Sequence, residues 1–98
     1  MKIKFKEKEL TIEVSHYFNN NNLALVMHDT EEPYAVMTVN LGPLFDPTMA
    51  FVDTNKFPEV IDIIKEYNLG EDTGITRVSG FCVYPLYKFN LEEVKKYA

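Results

Sequence analysis

Several residue types are scarce in this chain of 98 residues. Tryptophan is absent, cysteine occurs once, at Cys82, and only four glycines are present, at positions 42, 70, 74 and 80. A single cysteine excludes an internal disulfide framework and a zinc site built from several cysteines, and it fits a reducing compartment. Scattered glycines without a Gly-Lys-Ser/Thr sequence disfavour a phosphate-binding loop. We therefore expect no cofactor and no metal site, with Cys82 as a small buried apolar residue.

Long hydrophobic runs are missing too. The longest apolar stretches have four or five residues, as in 23–27, whereas a membrane-spanning helix needs roughly 20. The chain starts with alternating lysines, not with the long apolar segment of a secretory leader. These features predict a cytoplasmic protein without membrane contact. The length and the 46% hydrophobic and 26% charged residues predict one globular domain over residues 1–98.

Basic residues are nearly absent from the middle of the chain. From Asp29 to Asp72 ten acids stand against two bases, a net charge of −8, while four of the first eight residues are lysines. The whole chain has a formal net charge of −5. This balance disfavours direct binding to nucleic acid and favours a protein partner with a basic surface. The lysines alternate with Ile3 and Phe5, which predicts that they cover the solvent face of a first strand.

Strand patterns occupy most of the chain. Alternating apolar and polar residues, or short apolar runs next to turn residues, predict three strand pairs. Their ranges are 2–6 with 10–14, 23–28 with 34–41, and 75–81 with 82–89. Glu7 and Lys8 suit the first hairpin turn, and the asparagines from Asn19 to Asn22 suit a turn before the second pair.

Two helices are expected beside these strands. Apolar residues at helical spacing predict a helix from Phe57 to Tyr67 with a stripe facing the core, stopped at Gly70. Asn90, with a glutamate three residues later, resembles a capping box and predicts a short C-terminal helix. The predicted fold class is therefore α+β: a mainly antiparallel β-sheet with one principal helix packed on one face and a short C-terminal helix.

Candidate catalytic groups are few. His28 and Asp29 are adjacent, but neighbours on a strand point to opposite faces, so one is poorly placed to orient the other. His16 and His28 also lack the helical i, i+4 spacing of a strong metal site. A site built from His28, Asp29 and Asp53 stays open as an alternative, although a purely structural role for these residues is favoured. We expect a protein that is not an enzyme.

The candidate partner-binding residues lie on the predicted helix and in one loop. Glu59, Asp62, Ile63 and Glu66 fall within about 100° of one another on a helical wheel, which places one isoleucine among three acids. Phe45 lies in a proline-containing loop, where it either tucks under the core or stands out as a contact. We expect the acids to meet a basic surface and Ile63 or Phe45 to supply an apolar anchor.

Three sequence blocks resemble a known family. They are Glu32-Pro33-Tyr34-Ala35 to Thr38-Val39-Asn40-Leu41, Ala50-Phe51-Val52-Asp53-Thr54-Asn55, and Ser79-Gly80-Phe81-Cys82-Val83-Tyr84-Pro85-Leu86-Tyr87. The pattern is similar to an uncharacterised family of short proteins, a domain of unknown function, from Firmicutes phages, plasmids and integrative conjugative elements. The resemblance covers roughly residues 23–91 and brings no activity, cofactor or catalytic residue. It implies a mobile-element setting, where small acidic proteins often inhibit a host defence complex.

The sequence thus leads to one functional hypothesis and two alternatives. The first is a non-enzymatic acidic binding protein of a phage or mobile element, an inhibitor of a host defence nuclease (anti-CRISPR or anti-restriction) that occupies a basic nucleic-acid-binding surface. One alternative is a structural or accessory protein of the element, a homodimer joined through an edge strand. The other is a small enzyme with an unrecognised site.

Overall fold

A computed structural model describes residues 1–30 and 32–98 as two antiparallel sheets and two short helices. The elements are β1 (Ile3–Phe5), β2 (Lys8–His16), β3 (Leu23–Asp29), β4 (Glu32–Val36), β5 (Thr38–Val39), β6 (Met49–Val52), α1 (Val60–Glu66), β7 (Gly70–Ser79), β8 (Cys82–Phe89) and α2 (Leu91–Lys95). The α+β class with mainly antiparallel strands is confirmed. The expected single sheet is wrong, because the strands form two four-stranded sheets.

The first sheet has the order β1-β2-β3-β4. Its first turn is formed by Lys6 and Glu7, both with positive φ, as a two-residue type I′ turn requires. The turn therefore lies one residue earlier than predicted. The β2 and β3 strands pair along their length, from Leu10 opposite Asp29 to His16 opposite Leu23. The asparagine run connects them, as predicted.

The second sheet has the order β5-β6-β8-β7 and begins where the chain leaves the first sheet at Met37. This residue is fully buried. Its N–H donates to the carbonyl of Leu25 at 2.9 Å, and its carbonyl accepts from the N–H of Asp53 at 2.9 Å. The segment 34–41, predicted as one strand, is therefore divided between β4 and β5, whose partners belong to different sheets.

Two clusters of buried side chains lie on opposite faces of the second sheet. The β6 strand shows this clearly, because Ala50 and Val52 belong to the main core while Phe51 between them belongs to a smaller cluster. Leu41 and Leu44, from the loop after β5, pack on that smaller cluster. Both sheets and both helices contribute to the main core, with the members Ile3, Leu10, Ile12, Leu23, Leu25, Met27, Met37, Ala50, Val52, Phe57, Val60, Ile63, Ile64, Leu69, Tyr87, Phe89 and Val94.

Helix α1 has seven residues, fewer than the predicted span from Phe57 to Tyr67. The carboxylate of Asp53 accepts from the N–H of Lys56 at 3.1 Å and so orders the turn ahead of the helix. Asn68, with φ of 56°, follows the helix in the left-handed conformation that was expected at Gly70. The helix is thus shorter at both ends than its apolar spacing suggests.

Helix α2 begins as predicted. The side chain of Asn90 accepts a hydrogen bond from the N–H of Glu93 at 3.3 Å, which satisfies one unpaired amide of the first turn. With five residues, α2 is almost as long as α1, so the chain has two short helices where one principal helix was expected. No helix of the described residues has the length and apolar character needed to cross a membrane.

Candidate protein-binding surface

Helix α1 presents two exposed acids toward solvent. Asp62 and Glu66 are four residues apart and therefore lie on the same side of the helix. With Ile63 they form one wall of a shallow cavity of about 230 Å³, and Lys4 and Lys6 from the first hairpin lie on its other wall. The acidic helix face thus borders the lysine row of the N-terminus. This face combines charges of both signs that are far apart in the sequence.

Ile63 does not serve as an exposed anchor on this face. Its side chain is only 3% exposed and belongs to the main core. The reason is the position of β1, which lies beside α1: the N–H of Lys4 donates to the hydroxyl of Tyr67 at 2.8 Å. A helical wheel shows only the helix, so it could not reveal that the N-terminal strand covers this side. The predicted anchoring role of Ile63 is wrong.

Glu59 is held by a lysine of the first hairpin. Its carboxylate accepts from Nζ of Lys6 at 2.7 Å. This hydrogen bond is the largest cause that lowers the pKa of Glu59, and the same bond raises the pKa of Lys6. Among the described residues, neither Asp62 nor Glu66 has a base within ion-pair distance. The three acids therefore divide into one paired carboxylate, at the residue that precedes α1, and two unpaired ones on the helix.

Phe45 is fully exposed but lies elsewhere on the molecule. Its neighbour Leu44 packs on the smaller cluster, on the face of the second sheet opposite the main core to which α1 belongs. The next residue, Asp46, accepts from the N–H and the hydroxyl of Thr48 at 2.8 and 2.6 Å, and these bonds lower the pKa of Asp46. Phe45 therefore lies in a hydrogen-bonded loop, and its ring is not close to the acids of α1.

The three residues of the enzymatic alternative have separate partners. His28 lies 2.8 Å from the carboxylate of Glu13, and Asp29 accepts from Nζ of Lys8 at 2.8 Å. Asp53 is buried and bonds to the turn before α1. The structure therefore does not bring them together as one site. Within residues 1–30 and 32–98, no group of three or more His, Cys, Asp or Glu is arranged to hold a metal ion.

The asparagine run has a structural role that the sequence analysis reduced to a turn. Asn22 is buried, and its amide donates to the carbonyl of Gly42 at 2.6 Å and to the side chain of Asn40 at 3.0 Å. Its side-chain oxygen accepts from the N–H of Leu44 at 3.0 Å. Asn22 thus fixes the loop that carries Phe45. The sequence shows the run of consecutive asparagines, but it does not show which distant residues their side chains bind.

The β7–β8 hairpin is a surface that the sequence analysis did not select. Four large apolar residues within nine positions are exposed there: Ile75, Val78, Phe81 and Val83. Residues 73–87 contain one charged residue, Arg77, whose guanidinium donates to the carbonyl of Leu41 at 2.6 Å. The low charge of this segment was the signal that could have revealed an unusual surface.

Comparisons with known proteins give one result. No curated protein matches the chain, and no solved structure matches it either. A family model, described as a domain of unknown function (DUF4313), matches residues 11–98. The match includes the three sequence blocks and extends beyond residues 23–91 at both ends. It confirms the expectation of an uncharacterised family, and the chain belongs to the DUF4313 family.

Proposed function

We propose that this protein is a non-enzymatic acidic binding protein that presents the exposed side of α1 to a basic surface of a protein partner. The observation that carries the proposal is the pair Asp62 and Glu66, two exposed carboxylates one helical turn apart. Within the described residues, no base pairs with them. Their desolvation by a partner would be compensated by that partner's own lysines or arginines.

The chemistry of this face fits a partner that normally binds nucleic acid. Lysine and arginine clusters that neutralise phosphates also attract carboxylates, and a chain of net charge −5 is steered toward them. Part of the proposal, supported by the resemblance of the sequence blocks, is a cytoplasmic protein of a mobile element that inhibits a host defence nuclease. An anti-CRISPR or anti-restriction role would follow from occupation of the phosphate-binding surface.

The lysines beside the acids set a limit on this interaction. Lys6 already binds Glu59, so Glu59 contributes less attraction than the unpaired acids. Ile63 is buried and Phe45 lies on another face, so neither predicted apolar anchor is exposed beside Asp62 and Glu66. We therefore expect an association that is mainly electrostatic and that weakens strongly as salt increases.

Charge reversal on α1 tests the proposal. The tagged protein is used to capture partners from a host lysate at low and high salt, and retained proteins are identified by mass spectrometry. The double variant Asp62→Lys with Glu66→Lys is compared with Glu32→Lys with Glu92→Lys, which changes the net charge equally at exposed acids outside α1. We expect a nucleic-acid-binding protein, retained at low salt, to be lost with the first variant and kept with the second.

Two outcomes would contradict the proposal. If both double variants lose the partner equally, net charge alone explains retention and α1 is not the binding face. If the α1 variant keeps the partner, another surface binds it. A separate observation favours the alternative of a homo-oligomeric accessory protein: among the strands of residues 1–30 and 32–98, only β8 pairs with β7, which leaves its other edge open.

A further inference from the structure

Strand β7 is an edge of the second sheet with an unusual surface. It pairs with β8 on one side, and in the described part of the chain no strand pairs with its other side. Every one of its ten residues is exposed or half-exposed. Edge strands commonly carry charged residues that prevent pairing with other chains. Between Thr73 and the hairpin turn, the only charged residue of β7 is Arg77. Its guanidinium donates to the carbonyl of Leu41 and lies 5.5 Å from the centre of the Phe51 ring, so this charge is directed away from the open edge.

The hairpin turn determines which backbone groups of β7 face the open edge. Gly80 and Phe81 form a two-residue turn, and Gly80 has φ of 62°, as the first position of a type II′ turn requires. Ser79 and Cys82 flank this turn and form a hydrogen-bonded pair, and such pairs alternate with non-hydrogen-bonded ones along the ladder. Val78 therefore directs its N–H and C=O toward the open edge.

We propose that β7 pairs antiparallel with β7 of a second copy of this chain, about a two-fold axis at Val78. The two sheets would then form one continuous sheet of eight strands. In this register Val78 lies opposite its own copy and exchanges two backbone hydrogen bonds with it. The exposed side chains of Ile75 and Phe81 lie just beyond the paired segment, Ile75 in the irregular stretch and Phe81 in the hairpin turn. The contact between the two exposed Val78 side chains would be removed from water.

The distribution of charge favours this occupant and is compatible with this register. Glu71 and Asp72, the acids of β7, lie beyond the partner's hairpin turn when the axis is at Val78, so they face no acid of the other copy. Arg77 lies opposite Ser79. An axis at Arg77 would place two arginines opposite each other, which is destabilising. Two chains of net charge −5 repel each other elsewhere, and this segment lets them approach with little opposing charge.

The irregular part of β7 limits the length of the contact. The pairing of β7 with β8 shifts register between Asp72 and Thr76, and Gly74 within this stretch has φ of 84°. A bulge bends the edge and ends regular pairing. The shared segment is therefore about 76–80, and we expect a weak dimer that depends on concentration. This inference does not rest on the proposed binding to a basic surface.

Sedimentation velocity of the full chain tests the proposal, over concentrations from roughly 1 μM to 1 mM, where weak complexes become populated. We expect the sedimentation coefficient to increase from monomer to dimer. Val78→Lys places two ammonium groups at the axis and should leave a monomer throughout. The matched control is Val83→Lys, since Val83 is the cross-strand partner of Val78 and is similarly exposed, but lies on β8 away from the edge. We expect this control to dimerise like the parent.

A cross-linking experiment fixes the register. Residues opposite each other in a hydrogen-bonded pair have Cα atoms about 5.5 Å apart, which is within the range of a disulfide. Val78→Cys in a Cys82→Ser background should form a disulfide-linked dimer under mild oxidation, and Val83→Cys in the same background should not. A parent chain that stays monomeric up to the highest concentration would overturn the proposal. Dimers that survive Val78→Lys, or that cross-link more readily through Val83→Cys, would also overturn it.

Discussion

The β1–α1 face and the β7–β8 hairpin handle exposed side chains in opposite ways. On the first, the side chain of Lys6 binds Glu59, a residue 53 positions away, and the hydroxyl of Tyr67 accepts from the backbone N–H of Lys4. On the second, no element among residues 1–30 and 32–98 covers the exposed side chains of Ile75, Val78, Phe81 and Val83. The acid-rich middle of the sequence is therefore partly neutralised by the N-terminus after folding. The segment with the least charge is the one that folding leaves most open to a partner.

The largest expected effect is a difference in the free energy of unfolding between two variants, one at a buried residue beneath the β1–α1 face and one at an exposed residue of the β7–β8 hairpin. Ile63→Ala should lower the free energy of unfolding by about 2 to 5 kcal/mol, because the side chain fills the core between α1 and β1. Val78→Ala, on an exposed edge, should change it by about 0.5 kcal/mol or less. Urea denaturation of the monomer, at low protein concentration, measures both. Similar losses for the two variants would contradict the contrast between the surfaces.

A smaller effect is expected at Asn22, which holds the loop covering the outer face of the second sheet. Asn22→Ala leaves the carbonyl of Gly42 and the N–H of Leu44 without their partner, and should cost about 1 to 3 kcal/mol. The matched control is Asn19→Ala, an exposed asparagine with one bond to Asn40, which should cost roughly 0.5 kcal/mol or less. Thermal denaturation provides the comparison. Equal melting temperatures for the two variants would remove Asn22 as the anchor of this loop.

The sequence predicted those elements whose signals are local. Alternating residues marked the paired strands, the asparagine run marked a connection, and Asn90 with Glu93 marked the start of α2. Each depends on residues a few positions apart, which the backbone alone brings together. Much of the secondary structure was accessible in this way, with errors of a few residues at the ends of α1 and at the first turn. Strand β7 runs from Gly70 to Ser79 where 75–81 was predicted, and β6 was not among the predicted strand pairs.

Features that depend on distant parts of the chain could not be predicted. The division of residues 34–41 depends on Met37, whose backbone bonds to both sheets. Ile63 was placed among solvent-exposed acids because the position of β1 beside α1 is a tertiary property. The unpaired state of Asp62 and Glu66 required the same knowledge, since only the fold shows which lysine reaches which carboxylate. The structure places Asp62 and Glu66 on one exposed side of α1, but it buries Ile63 of the same helix and puts Phe45 on another face. The role of these residues in binding a partner stays a prediction.

The smallest expected effect concerns the ion pair on the charged surface. In Lys6→Gln the pKa of Glu59 should rise toward its ordinary value of about 4.3, because the hydrogen bond from Lys6 is the largest cause of its lowering. An NMR titration of the Glu59 carboxyl carbon measures this, and Lys65→Gln, an exposed lysine of α1, is the control that should leave that pKa unchanged.

The lowered pKa of Glu59 means that its pair with Lys6 stabilises the fold above the ordinary carboxyl pKa, and that this contribution is lost as pH falls through the folded value. At alkaline pH the raised pKa of Lys6 gives the other limit, where the contribution is lost as the ammonium deprotonates. An unchanged pKa of Glu59 in Lys6→Gln would mean that Lys6 does not neutralise this carboxylate, and the contrast between the charged β1–α1 face and the β7–β8 hairpin would lose this support.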